Sequence, residues 1–376
     1  MILQSIYTTA REQPSKLAVI YNGREFSYAG FAGAISSTIS FLEAEDLPAD
    51  HTVVVIIYTL IDCWVTVLAL QAMGLNTVCV QSQSMIEALG LEHIGVVTTS
   101  IEYSKHQLEP NTGTGSRIIV IPDPVYNSSV WPKVPGLKDK KIIGGHILYT
   151  SGTTGSYKNI FLQGSLQARR NAERIASSTY YDANTKYHCN AFGLWTAAGY
   201  RNPPATWQAG GCVIFEQRPE WYRYFLQSGM THAILIPDMV HQLLQFLDEQ
   251  PSILATDFHL LVSAGFISRN MAERIICRVP KNLENLYGST EMYRPVLRSI
   301  VSNLDDLHWL ETPEYRRIEI VDGVGNLCPI NVEGQLRVHP EETDCHSYLD
   351  NSQASEKVFR DGYFYPGDMA VRRADG

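Results

Sequence analysis

The length, composition and charge of the chain exclude several classes of protein. With 376 residues, of which 45% are hydrophobic and 18% charged, it can form more than one globular unit and is not a disordered protein. Its formal net charge of −9 argues against non-specific binding to nucleic acid. The seven cysteines form no C-x-x-C pair, and no basic signal segment opens the chain, so we expect reduced core thiols in a cytoplasmic protein.

The chain before residue 300 alternates short β-rich runs with amphipathic segments. The predicted strands are residues 53–57, 77–80, 95–98, 117–121, 142–149, 212–215, 232–236 and 259–262. Helical spacing predicts helices over 165–176, 239–247 and 269–277. Strands separated by helices indicate an α/β fold of two stacked layers with mostly parallel sheets.

The long apolar stretch over residues 53–80 could be a membrane span or a set of buried elements. Asp62 and Gln71 interrupt it, and Gly74 breaks its helical half. The pattern therefore better fits a buried strand, a packed helix over 61–73 and a second strand, and we expect no membrane span.

An apolar strand end at residues 147–148 runs into a loop of small and hydroxyl-bearing residues. Glycines let a backbone approach a ligand, backbone N–H groups bind anions, and hydroxyls and a lysine add donors and charge. The alternative is an ordinary surface turn, since such residues cluster in loops. The run is not a Walker-type loop, because its lysine follows the second glycine too late. A polyphosphate site is predicted at Thr150, Ser151, Gly152, Thr153, Thr154, Gly155 and Lys158.

This run resembles the phosphate loop of the adenylate-forming superfamily, which includes acyl- and aryl-CoA ligases, luciferase and peptide-synthetase adenylation domains. The usual form is [YF]-T-S-G-[ST]-T-G-x-P-K-G; here Tyr157 stands in place of the proline and Asn159 in place of the last glycine. Further segments resemble other motifs of the family in the expected order, so the resemblance covers nearly the whole chain. These segments are residues 23–28, 285–291, 333–338, 347–349 and 362–368.

The resemblance implies that ATP and Mg²⁺ are cofactors and assigns roles to single residues. The hydroxyls of the loop and Lys158 would hold the β- and γ-phosphates. Thr290 would donate to the α-phosphate, and Glu291 would bind Mg²⁺. Tyr287, followed by Gly288, would lie on the adenine, and Asp368 would bind the ribose hydroxyls. The alternatives are a core aromatic for Tyr287, a turn residue for Asp368 and a solvated carboxylate for Glu291.

The acid pocket is predicted from residues 187–194, which resemble the F-H-x-x-F-G-[LM] segment of luciferase and acyl-CoA ligases. No acidic residue occurs between Lys186 and Cys212, where α-amino-acid adenylation domains offer an aspartate, so a standard α-amino acid is disfavoured. The alternative is that 187–194 is ordinary core. The residues expected to line the pocket are Asn190, Phe192, Gly193, Ala264, Gly265 and Met292.

Two Pro-containing or turn-rich regions complete the sequence picture. Pro203-Pro204 predict a loop over 201–206 near the pocket, because proline disrupts a helix. After residue 300, alternating runs over 314–321, 334–339 and 369–373 predict a small antiparallel β module. The expected domains are therefore a core over 1–300 and a β-rich module over 301–376. The family's mobile C-terminal domain would follow, and we expect this chain to be a core without it.

The leading hypothesis is ATP-dependent activation of an aryl or acyl carboxylic acid as acyl-AMP, with release of pyrophosphate and transfer to CoA. A second hypothesis is a stand-alone adenylation domain that loads the phosphopantetheine of a carrier protein. A third is a degenerate nucleotide-binding regulatory protein, which the departures at Tyr157 and Asn159 favour. A small carboxylic acid is the expected partner, with no nucleic acid.

Overall fold

The computed structural model describes residues 2–106, 117–126, 143–151, 157–178, 180–250, 258–279, 282–301, 304, 307 and 309–374. The chain divides into two compact units, Met1–Trp221 and Tyr222–Gly376. The domain boundary near residue 300 stays a prediction.

Helices and strands alternate through the first unit. Its helices are α1 (Ile2–Glu12), α2 (Tyr28–Glu43), α3 (Leu60–Ala72), α4 (Ser84–Leu89), α5 (Ser100–His106), α6 (Gln167–Ala176) and α7 (Ala197–Gln208). Its strands are β1 (Leu17–Tyr21), β2 (Arg24–Ser27), β3 (Thr52–Val55), β4 (Asn76–Cys79), β5 (Gly95–Thr99), β6 (Arg117–Ile121), β7 (His146–Ser151), β8 (Tyr157–Leu162), β9 (Lys186–Asn190) and β10 (Cys212–Phe215).

The strands of the first unit pair mostly in parallel, as the alternation with helices predicts. One sheet has the order β6-β5-β3-β4-β7-β8, in which only the β7–β8 pairing is antiparallel. In the other, β9, β10 and β1 run parallel and β2 returns antiparallel. Parallel strands buried on both faces favour β-branched residues, which explains the Thr-Val-Val-Val sequence of β3.

Large aromatic side chains form much of the core of the first unit. Trp64 of α3 packs edge-on against Trp207 of α7, with ring centroids 5.2 Å apart, and Phe31 of α2 lies 5.0 Å from the same indole. The indole Nε1 of Trp207 donates to the carbonyl of Ala18, 2.9 Å away on β1. The cluster therefore holds three helices and a strand together.

The expected loop over residues 201–206 is wrong, because α7 continues through both prolines. Gly199 to Trp207 are all buried, so packing outweighs the helix-breaking tendency of Pro203 and Pro204. The Nδ2 of Asn202 donates to the carbonyl of Ala198 at 3.1 Å, which adds a side-chain bond to the turn before the prolines.

The second unit combines a largely parallel sheet with an antiparallel one. Strands β11 (His232–Leu235), β12 (His259–Val262) and β13 (Asn282–Tyr287) run parallel, and β14 (Leu297–Val301) returns antiparallel along β13. Helices α8 (Tyr222–Phe225), α9 (Pro237–Glu249) and α10 (Arg269–Arg278) belong to this part of the unit.

The end of the chain forms the expected antiparallel module. It contains β15 (Ile318–Val321), β16 (Gly334–Val338), α11 (Ser352–Val358), β17 (Phe359–Arg360), β18 (Tyr363–Phe364) and β19 (Met369–Ala370). The sheet order is β15-β16-β18-β17, with β19 beside β16. The predicted fold class, α/β with mostly parallel sheets and a small antiparallel sheet near the C-terminus, is confirmed.

Two simpler expectations can be compared with the structure directly. Residues 53–80 form β3, α3 and β4, and no helix in the described ranges is long and apolar enough to span a bilayer. None of the seven cysteines, all within the described ranges, forms a disulfide, but only five are buried, since Cys277 is exposed and Cys328 partly exposed.

Candidate active site

The predicted phosphate loop is the connection of an antiparallel hairpin. Strand β7 runs through Thr150 and Ser151, two residues further than the sequence suggests, and β8 begins at Tyr157. Thr150 lies directly opposite Lys158 in the register of the two strands. Residues Gly152, Thr153, Thr154 and Gly155 fall outside the described ranges. The hairpin therefore brings Thr150 and the lysine of the motif together at the carboxyl end of β7.

The two departures from the family motif both contact α4. The hydroxyl of Tyr157 donates to the sulfur of Met85 at 3.6 Å, and its ring packs edge-on against Tyr149, with centroids 5.5 Å apart. Asn159 is buried, and its Nδ2 donates to the carbonyl of Leu89 at 3.0 Å. Side chains alternate along a strand, so Lys158 between them projects from the opposite face of β8. The substitutions thus anchor the hairpin while leaving the lysine on the other face.

The predicted acid segment begins at a strand end with unusual backbone geometry. Asn190, the last residue of β9, is fully buried and has a φ of 49°, in the left-handed region that asparagine tolerates better than most residues. The pairing of β9 with β10 shifts register at this point, so Asn190 lies in an irregularity of the sheet. Such irregularities and strained residues are enriched beside functional sites.

The residues after Asn190 pack too tightly to accept larger side chains. A Cβ atom on Gly193 would come within 2.2 Å of the Trp195 ring, and one on Gly199 within 2.1 Å of the Gly193 carbonyl. Thr196 caps α7 by accepting from the backbone N–H of Gly199 at 3.0 Å. Phe192 is partly exposed between these fixed points. The segment is therefore a well-defined loop at the start of α7.

In the second unit, Tyr287 and Asp368 come together from distant parts of the sequence. Tyr287 ends β13, and its hydroxyl donates to a carboxylate oxygen of Asp368. Burial raises the pKa of Tyr287 well above its usual value, so the phenol stays protonated and acts as the donor. The backbone carbonyl of Asp368 accepts from Leu336 on β16 at 2.9 Å. The predicted adenine and ribose residues are thus neighbours.

Glu291 is held by a residue whose part in the site the sequence did not reveal. The carboxylate is buried, and its Oε1 accepts from the hydroxyl of Tyr348 at 2.6 Å. Burial raises the pKa of Tyr348, which keeps this hydroxyl a donor. The Ser347-Tyr348 segment resembles a motif of the family. Its contact with Glu291, however, joins residues 57 positions apart in sequence and is visible only in the folded chain.

Buried charges fix the chain just after Glu291. The side chain of Arg316 is fully buried and forms an ion pair with Asp344, whose Oδ1 also accepts from the backbone N–H of Tyr293 at 2.6 Å. Arg294 pairs with Glu341 at 2.6 Å. Because paired buried charges tolerate little displacement, the strand-to-loop segment that carries Gly288, Thr290 and Glu291 has a defined position.

The remaining predicted pocket residues have different surroundings. Ala264 follows β12, is exposed and has a φ of 62°, a strained value for a residue with a Cβ. Gly265 beside it is also exposed. Met292, by contrast, is 1% exposed in a core cluster with Val338 and Phe364. The structure gives Met292 a packing role, and its place in an acid pocket stays a prediction.

The sequence profile of the AMP-binding enzyme family matches residues 6–342, which is most of the chain. The chain belongs to this family. The two compact units, the parallel strands and the polar residues at the strand ends described above are therefore those of an AMP-binding enzyme.

Curated members of the family are similar to this chain over part of their length. A peroxisomal butyrate–CoA ligase of Arabidopsis thaliana is 24% identical over 61% of this chain and 42% of that enzyme. A 4-hydroxybutyrate–CoA ligase of Metallosphaera sedula is 25% identical over 61% of this chain and 44% of that enzyme. The matched region is thus less than half the length of either relative.

Solved structures share the fold of the whole chain. The O-succinylbenzoate coenzyme A synthetase of Bacillus subtilis, solved with ATP and magnesium, has a TM-score of 0.78 at 16% identity over 99% of this chain and 78% of that one. The N-terminal subdomain of NpsA from Klebsiella oxytoca, solved with 3-hydroxybenzoyl-AMSN, has a TM-score of 0.74 at 15% identity over 99% and 97%. At these identities the likeness shows the fold.

Proposed function

We propose that this chain activates a carboxylic acid as its acyl-adenylate, using ATP and Mg²⁺, and that CoA is the thiol acceptor of the acyl group. The observation that carries the proposal is the contact between Tyr287 and Asp368, residues 81 positions apart in sequence that the family resemblance assigns to one nucleoside. Membership of the AMP-binding enzyme family and the named CoA ligases among its relatives support the proposal.

In the proposed reaction, a carboxylate oxygen of the substrate attacks the α-phosphorus of ATP. A bond forms between these two atoms, the bond to the β-phosphate oxygen breaks, and pyrophosphate leaves. The protein needs no nucleophile of its own, and its task is to position two anions and offset their repulsion. Thr150, Ser151 and Lys158 would hold the distal phosphates, and Thr290 would donate to the α-phosphate.

The residues around Glu291 fit a Mg²⁺ ion. One carboxylate oxygen is engaged by Tyr348, which leaves the other as a ligand. Mg²⁺ commonly binds one or two protein carboxylates together with substrate phosphates and water, so a single carboxylate is a sufficient protein contribution. When bound, the ion would neutralise phosphate charge, while Tyr348 keeps the carboxylate oriented.

Three features support an aryl or acyl acid without an amino group over a standard α-amino acid. No acidic residue occurs between Lys186 and Cys212 to bind an amine. Asn190 at the end of β9 is an uncharged amide. The glycine and alanine at positions 264–265 are small and exposed, which leaves room for a flat or extended acid.

The structure also bears on the regulatory alternative. That interpretation drew partly on Tyr157 and Asn159, but both side chains have packing partners on α4 and neither replaces a predicted phosphate ligand. The contacts with α4 therefore explain both departures as packing of the hairpin, which weakens the case for a degenerate site.

Acid-dependent exchange of labelled pyrophosphate into ATP tests the proposal. We expect exchange with at least one aryl or short acyl acid from a panel of benzoate, 3-hydroxybenzoate, butyrate and 4-hydroxybutyrate, and none with α-amino acids. The acceptor is identified by comparing thioester formation with CoA and with a carrier protein that bears phosphopantetheine. Lys158→Ala is the matched control and should abolish exchange. ATP binding without exchange for any acid would favour the regulatory alternative.

A further inference from the structure

His146 lies at the centre of a buried polar network in the first unit. It is the first residue of β7 and is fully buried. Its Nδ1 lies 2.8 Å from the hydroxyl of Thr77, and its Nε2 lies 2.9 Å from the carbonyl oxygen of Leu194. The ring of Tyr200 on α7 stacks on the imidazole, with centroids 3.9 Å apart and an interplanar angle of 8°.

The partners of the imidazole determine where its proton lies. A backbone carbonyl can only accept, so Nε2 must carry the hydrogen that it donates to Leu194. Burial lowers the pKa of His146 to about 4, so the ring is neutral near pH 7 and Nδ1 is an acceptor. Thr77 therefore donates to Nδ1, and Gln71 donates to the Thr77 oxygen at 3.1 Å. The network has one consistent direction, from Gln71 through Thr77 and His146 to Leu194.

The two ends of His146 belong to different parts of the candidate site. Its backbone starts the strand that carries Thr150 and Ser151, and β7 is paired with β4 on one side and β8 on the other. Its side chain reaches Leu194, which directly follows the predicted acid-binding residues Phe192 and Gly193. Since β7 is fixed by two neighbouring strands, the imidazole contact positions the less regular segment, not the reverse.

We propose that His146 is a positioning residue that ties the acid-binding segment, residues 190–194, to the phosphate-loop strand. The donor on Nε2 holds the Leu194 carbonyl, and thereby the backbone of Phe192 and Gly193, at a set distance from the carboxyl end of β7. This inference rests on the proposed function, because the segment matters for catalysis only if it binds the acid.

The first test examines the hydrogen bonds of His146 without measuring enzyme activity. Long-range ¹H–¹⁵N correlation on the histidine-labelled full chain should show His146 as the neutral Nε2–H tautomer at pH 7. Hydrogen exchange measured by mass spectrometry should become faster in peptides that cover 190–196 when His146 is replaced by leucine. Thr77→Val, which removes the donor to Nδ1, should keep the Nε2–H tautomer, because the Leu194 carbonyl still requires that proton. An Nδ1–H tautomer, or unchanged exchange in that segment, would overturn the inference.

The second test separates positioning from general instability. His146→Leu should raise the KM for the acid about tenfold, the effect of one lost buried hydrogen bond, with the KM for ATP changed less than twofold. His146→Gln carries an amide N–H near the position of Nε2 and should restore most of the acid KM. Tyr7→Phe, which removes a buried hydrogen bond to Ser36 elsewhere in the unit, is the control and should leave both KM values unchanged.

The outcomes distinguish this inference from the proposed function. Equal increases in both KM values, or no rescue by glutamine, would mean that His146 is only structural. If the wild-type chain activates no acid, the proposed function fails, while tautomer and hydrogen exchange still decide whether His146 fixes residues 190–194.

Discussion

At the scale of single residues, the candidate nucleotide site consists of polar side chains held by specific partners. Asp368 is exposed, yet its carboxylate is engaged by Tyr287 and its backbone by β16. An oriented carboxylate suits a ribose diol, which needs an acceptor for two hydroxyls. Tyr287 and Asp368 would thus act as a pair on the nucleoside. Their contribution to binding should therefore be the same for AMP and for ATP.

Asp368→Ala should weaken AMP and ATP binding to the same degree, by about 1–3 kcal/mol, because the ribose loses its acceptor in both ligands. Isothermal titration with each nucleotide measures the two affinities. Deoxy-ATP lacks a ribose hydroxyl, so the substitution should reduce its binding affinity less than it reduces that of ATP. An unchanged affinity for AMP would remove Asp368 from the ribose site.

Tyr348→Phe should weaken divalent-metal binding in the presence of ATP about tenfold, because partners that orient a metal ligand commonly contribute that much. Mn²⁺ titration followed by electron paramagnetic resonance measures the metal directly. The matched control is Tyr363→Phe, which also removes a tyrosine–glutamate contact, at 3.2 Å to Glu319, a carboxylate with no proposed part in binding the metal. Equal effects of the two variants would show that Tyr348 does not act on Glu291.

At the scale of elements, the hairpin of β7 and β8 explains the two departures from the family motif. Tyr157 and Asn159 anchor β8 on α4, and Lys158 lies between them opposite Thr150. A glycine at 159 would leave the carbonyl of Leu89 without its amide donor. The unusual residues are therefore local solutions for packing this hairpin.

Asn159→Gly should lower the free energy of unfolding by about 1–3 kcal/mol, since it removes a buried hydrogen bond and adds backbone freedom. Urea unfolding measures this loss. The same variant should change ATP affinity less than twofold, as should Tyr157→Pro. If restoring the family residues tightened ATP binding tenfold, the departures would instead mark a weakened nucleotide site.

Sequence patterns predicted correctly those helices and strands in which the spacing of hydrophobic residues matches the side chains that are buried in the fold. The strands over Arg117–Ile121 and His259–Val262 have the predicted bounds, and the helix at Arg269 begins where expected. Helix α7 was missed because buried packing outweighs its two prolines. The extension of β7 through Ser151 was missed because it depends on pairing with β8, and glycine and serine in that run indicate a loop.

The individual contacts of the candidate site were less accessible from sequence. The motifs indicated Tyr287, Glu291 and Asp368, but Tyr348 and His146 act through partners far along the chain. A lone histidine at the start of a strand has no motif, and its importance is visible only when the partners of its two ring nitrogens are known. Local patterns do not encode such long-range hydrogen bonds.

At the scale of the whole molecule, buried neutral histidines make stability depend on pH. Burial lowers the pKa of His146 to about 4 and that of His188 to about 3. In the unfolded chain both imidazoles should titrate near about 6.5, so below that pH the unfolded state binds more protons than the folded state. Their contribution to stability is therefore present above about pH 6.5 and is lost as the pH falls toward the folded-state values.

The contribution of each of these two histidines to the free energy of unfolding should consequently fall by about 2 kcal/mol between pH 7 and pH 5. Urea unfolding of the wild type and of His146→Gln at both pH values measures the difference. The variant should be less stable at pH 7 and should lose less stability on acidification. The same pH slope in both proteins would show that His146 is not buried in its neutral form.

The central claim, that a substrate carboxylate attacks the α-phosphorus of ATP, is tested most directly by oxygen transfer. An acid that supports pyrophosphate exchange is labelled with ¹⁸O in its carboxylate and incubated with the chain, ATP, Mg²⁺ and CoA. The acyl-adenylate keeps one acid oxygen in its bridge to phosphorus, so thiol attack on the carbonyl should release AMP that carries one ¹⁸O atom. Label in inorganic phosphate together with ADP, or unlabelled AMP alongside thioester, would contradict adenylation.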